Sequence, residues 1–119
     1  MSNNVIYQLS KKFALRIIKL YSYLQTNKHE YVISNQIYKS GTSIGANIAE
    51  SKFAQSDADF ISKMKISLKE ASETKYWLEL LFDSGQLSQE EFSSLENEIK
   101  TIIGTLVNII NKIEKKWKS

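Results

Sequence analysis

The groups in this chain that could do chemistry are few. Glu70 and Glu73 stand three residues apart, the spacing that puts two carboxylates on one face of a helix, and Glu50 and Glu79 are further acidic candidates. Carboxylates so placed can act as general acids and bases or hold a metal ion. Four-helix proteins that hold two metals do so with Glu-x-x-His pairs on two of their helices, and no Glu-x-x-His occurs here. The one histidine, His29, lies in a polar run without a second nitrogen ligand or a catalytic partner nearby. There is no cysteine, which removes thiolate catalysis, Cys-based metal sites and disulfides. No nucleophile is paired with a base. The expectation is a protein that is not an enzyme and takes no metal or cofactor.

The polar groups that remain form a pattern. Ser40-Gly-Thr-Ser-Ile-Gly-Ala-Asn-Ile-Ala-Glu50 keeps Ile44 and Ile48 at helical spacing but carries small or polar residues where leucines would be usual. Gln36, Ser40, Ser43, Asn47 and Glu50 align along one stripe of that helix, and with Glu70 and Glu73 they are expected to form a structural polar seam. In the seam Asn47, Glu50, Glu70 and Glu73 would meet each other, a lysine or backbone groups. Gly41, Gly45, Ala46 and Ala49 give the helix a thin wall suited to close packing by a neighbour. The two glycines do not make a phosphate loop, because the Gly-Lys-Ser/Thr ending and a preceding strand are both missing.

Cations are the other candidates. Residues 1–52 hold seven Lys and Arg against Glu30 and Glu50, a balance of +5, and the remainder carries −2. Lys11, Lys12, Arg16 and Lys19 lie off the apolar stripe of their helix, and the tail offers Lys115, Lys116, Trp117 and Lys118, an aromatic among lysines. These eight are the candidate nucleic-acid contacts. A solvated basic face is the bland alternative.

The absence of proline suits long helices. The first, α1, is expected from about Val5 to Leu24, with Ile6, Leu9, Phe13, Ile17, Leu20 and Leu24 as its stripe and Leu15, Ile18 and Tyr21 widening it. Residues 26–30 have no apolar period and read as a loop. The second, α2, is expected from Val32 or Ser34 to about Phe53. The third, α3, starts after the N-cap Ser56 and ends at Asp83-Ser-Gly85, with Phe60, Met64, Leu68, Ala71, Lys75, Leu78 and Phe82 in its stripe. The fourth, α4, opens on the capping box Ser88-Gln-Glu-Glu91 and runs through Phe92, Leu95, Ile99, Ile102, Leu106, Ile109 and Ile113. A second stripe there, Ile103, Val107 and Ile110, suggests a face buried against another subunit.

Four helices and short loops predict an all-α, antiparallel, up-down-up-down, left-handed four-helix bundle, a single domain over residues 1–119. The N-terminus carries no signal-peptide pattern, and the apolar run from Thr101 to Ile113 is broken by Gly104, Asn108 and Lys112. The expected setting is the cytoplasm, without membrane insertion.

Phe13, Leu20, the run from Gln36 to Glu50, Asp59-Phe60, Lys69-Glu-Ala-Ser-Glu73 and Tyr76-Trp-Leu-Glu79 together resemble the bacterial four-helix-bundle family of 23S rRNA intervening-sequence proteins. The resemblance spans nearly the whole chain. It implies a homopentamer of antiparallel bundles whose molecular role is largely unestablished. The accessory variability determinants of diversity-generating retroelements are similar, and that likeness implies a partner such as a reverse transcriptase together with RNA or DNA. Two functions follow as expectations: a nucleic-acid or ribonucleoprotein accessory module acting through a basic oligomeric surface, or a protein-interaction scaffold that binds no nucleic acid.

Overall fold

In the computed structural model the backbone is described for residues 2–118 and the side chains for residues 5–116. The helices are α1 Ser2–Thr26, α2 Val32–Ser51, α3 Asp57–Asp83 and α4 Gln89–Lys118. Their ends follow local chemistry. Glu30 caps α2, its carboxylate accepting from the backbone N–H of Ile33 at 3.0 Å and of Ser34 at 2.7 Å. Ser56 caps α3 by accepting from Asp59 N–H at 3.0 Å, and Ser88 caps α4 by accepting from Glu91 N–H at 3.1 Å. Gly85, at φ +82°, turns the chain out of α3, where Gln86 N–H donates to Leu81 C=O at 2.8 Å. α2 stops at Ser51, two residues before the expected Phe53, because the N–H groups of Lys52 and Phe53 turn back in tighter bonds to Ala49 and Glu50 C=O.

Each helix packs on its neighbour in sequence, and α4 returns to α1 to close the ring. The result is an antiparallel four-helix bundle of 51 × 22 × 21 Å. The α1–α4 boundary is the thinnest of the four. Phe13, Ile17, Leu24, Ile37, Ile44, Met64, Leu78, Leu95 and Ile99 fill the centre without exposure to solvent.

Three details of the expected stripes change. Leu15 and Ile18 do not widen the core of α1, since they lie on its outward side and are 55% and 41% exposed. On α3 the inward position belongs to Thr74, while Lys75 turns sideways and pairs with Glu79 at 2.8 Å. A hydroxyl can enter the bundle by bonding to a neighbour, whereas an ammonium reaches water more cheaply from the flank. On α4, Ile110 belongs to the core of its own bundle, and Val107 faces outward.

The thin wall of α2 faces α1 at two positions. A Cβ added at Gly41 would stand 2.9 Å from Ile17 Cγ1, and one at Gly45 would stand 3.1 Å from Ser10 Oγ. Ala49 is half-buried. Ala46 does not share this packing: it is exposed, on the side of α2 turned away from the core.

Candidate nucleic-acid interface

The polar seam divides into separate short-range contacts. Between α2 and α3, Thr74 Oγ1 and Ser40 Oγ lie 2.8 Å apart, Ser67 Oγ donates to Ile44 C=O at 2.9 Å, and Lys63 Nζ donates to Glu50 Oε1 at 2.9 Å. The rest is local to each helix. Ser43 Oγ donates to Lys39 C=O, Asn47 Nδ2 donates to Ser43 C=O, and Trp77 Nε1 donates to the Glu73 carboxylate at 3.1 Å. Glu70 accepts from Thr74 Oγ1 through its backbone carbonyl. Gln36 is exposed. Of the partners expected for Asn47, Glu50, Glu70 and Glu73, Asn47 takes a backbone carbonyl and Glu50 a lysine, while Glu73 is drawn to Trp77. Among the described residues no three His, Asp or Glu side chains converge as metal ligands would. The Glu50 carboxylate raises Lys63 above the ordinary lysine value of 10.5, and Glu79 does the same for Lys75.

The Arg16 side chain is already engaged within the bundle. Its guanidinium crosses from α1 to α4, donating to Glu98 at 2.6 Å, Ser94 Oγ at 2.9 Å and Glu91 at 3.1 Å. Two carboxylates within reach of one planar fork make this a helix-joining contact. Lys11, Lys12, Lys19, Lys115 and Lys116 are exposed. Trp117 and Lys118 lie outside the described side chains. Lys19 sits apart from Lys11 and Lys12, at a cleft of about 460 Å³ floored by Leu20 and Leu87 and edged by Arg16, Tyr23, Gln86, Ser88 and Glu91. Within that cleft Glu91 is paired with Arg16, which leaves Lys19 as the other charged side chain lining it.

What the fold does with charge was not visible in chain order. Antiparallel packing gathers the start of α1, the α2–α3 connection and the end of α4 at one end of the molecule. With each helix divided near its midpoint, that half carries nine lysines against five carboxylates among the described side chains, and the other half six cations against eight. Arg16, Lys19, Lys28 and Lys39 fall in the acidic half, while Lys63, Lys65, Lys69 and Lys112 join Lys11, Lys12, Lys52, Lys115 and Lys116 in the basic one. Lys63 and Lys65 of α3 are not among the candidates read from the sequence, although their positions off the apolar stripe are the signal that could have found them.

Comparison with known proteins gives a consistent result. The family described as 23S rRNA-intervening sequence protein matches residues 2–108. No curated protein matches. Among solved structures, the chain is similar to a protein with unknown function from the S23 ribosomal protein family of Bacteroides thetaiotaomicron, with 49% identity and a TM-score of 0.91 over 93% of this chain and 99% of that one. No described helix is long and apolar enough to cross a membrane.

Proposed function

This chain belongs to the 23S rRNA-intervening sequence protein family, and from that premise we propose that it is a non-enzymatic, cytoplasmic accessory protein that binds RNA or DNA through the basic end of its bundle. The observation that carries the reading is the axial separation of charge among the described side chains, +4 in one half and −2 in the other. A field so arranged attracts a polyanion to one end and turns it away from the other. Assembly into a homo-oligomer, a pentamer as the family resemblance implies, would repeat that end in each subunit and add up contacts that are weak singly. The cations assigned to the interface are Lys11, Lys12, Lys115 and Lys116, without Arg16.

A salt titration tests this. Phosphate contacts release counterions, so log affinity for a single strand falls with log salt at a slope of about −0.7 per phosphate contacted. Lys11→Glu with Lys12→Glu flattens that slope and leaves the bundle folded, because both side chains are exposed. Wild type without salt-sensitive binding at low ionic strength overturns the proposal. One observation favours the second reading, a protein-interaction scaffold: Val5, Leu15 and Ile18 expose apolar surface on α1. In that case a polypeptide covers this face and the lysines serve solubility.

A further inference from the structure

Phe53 stands in the connection between α2 and α3 and is 84% exposed, more than any other large hydrophobic residue described. The turn that presents it is ordered: Phe53 N–H donates to Glu50 C=O at 3.0 Å and Ala54 N–H to Ser51 C=O at 3.2 Å. The ring is therefore held out from the bundle on a fixed support. It also stands at the basic end. Lys52 precedes it, with an ammonium 4.3 Å from the centre of the Tyr7 ring, and the exposed lysines of the α4 terminus share that end.

An exposed aromatic ring at the end of the bundle with net positive charge matches a nucleotide better than it matches a lipid surface or a second copy of this end. Lipid insertion would call for a wider apolar tip than Phe53 and Ala54 provide. A second copy docking by the same end would bring like charge against like charge. We propose that Phe53 is the stacking platform for one unpaired base of a single-stranded nucleic acid whose phosphates are met by the lysines at the same end of the bundle. This rests on the nucleic-acid reading above and adds to it a preferred form of the partner: bases in a duplex have both faces covered, whereas an unpaired base offers one, whatever its identity.

The test compares a fluorescein-labelled single-stranded RNA of mixed sequence with the same strand annealed to its complement. Wild type favours the single strand. Phe53→Ala lowers single-strand affinity by roughly five- to a hundredfold, leaves duplex affinity and the salt slope as they were, and Phe53→Trp restores the loss. Equal single-strand binding by Phe53→Ala and wild type overturns the proposal. So does a loss confined to phosphatidylserine vesicles, or a smaller sedimenting mass for the variant, which would make Phe53 a lipid or subunit contact. Wild type binding both probes equally with a normal salt slope overturns the stacking role alone. Wild type binding neither removes the underlying reading as well.

Discussion

At the scale of single residues, the two glycines that differ most are Gly41 and Gly104. A methyl group at Gly41 meets Ile17 Cγ1 at 2.9 Å and Cγ2 at 3.0 Å, close to the stiff, branched root of that side chain, so it cannot swing aside. At Gly104 it meets nothing within 4 Å. Replacement by alanine gains about 1 kcal/mol of helix propensity at either site. At Gly41 overpacking of roughly 1–3 kcal/mol opposes this. Gly41→Ala therefore lowers the denaturant midpoint and Gly104→Ala raises it; equal shifts would show that α2 does not lie close on α1. The pair Lys63–Glu50 gives a pH signature. A lysine held above its ordinary value by a carboxylate contributes stability that is present below 10.5 and lost as pH rises through the raised value. Lys63→Gln is thus less stable than wild type near neutrality, and the two converge in alkaline solution; a gap that persists there would assign the effect to packing.

At the scale of elements, periodicity and caps carried most of the fold. Ser56 and Ser88 marked two helix starts and Gly85 an end, because these residues act within one turn of themselves. The cap of α2 was harder to read. Glu30 reaches it from a loop whose His29 takes the left-handed conformation, a local geometry with no periodic signal. The engagement of Arg16 is hidden in the sequence for a related reason. Its distance from the apolar stripe was legible, but the carboxylates that claim it lie 75 and 82 residues away. The outward faces of α1 and α4 lead to an assembly prediction. Leu15, Ile18 and Val107 are exposed, on the outward sides of amphipathic helices whose main apolar stripes are buried. Sedimentation at concentrations on the order of tens of micromolar is expected to give a multiple of 13.7 kDa. Leu15→Glu with Ile18→Glu reduces that to a monomer of unchanged helix content, and a monomeric wild type removes assembly from the proposed function.

At the scale of the whole molecule, charge was the property least legible in the chain. The sequence concentrated cations before residue 52, but folding redistributes them along the long axis, sending Arg16 and Lys19 one way and Lys65 and Lys112 the other. Only topology could supply that sorting. Topology also sets the order in which the molecule comes together. Three of the four helix boundaries join neighbours in sequence through short connections, which favours folding on the microsecond to millisecond scale. The fourth, between α1 and α4, joins the two ends of the chain, is the thinnest, and closes the longest loop. It is therefore expected to be the last to form and the first to part. Arg16→Met, which removes the bridge to Glu91 and Glu98, is expected to cost about 1 kcal/mol or less, given how exposed these groups are. Nearly all of that loss is expected in a faster unfolding rate, with the refolding limb of the chevron unmoved. A slower refolding rate would mean instead that the chain ends meet early, and that α1 and α4 form the nucleus around which α2 and α3 are later placed.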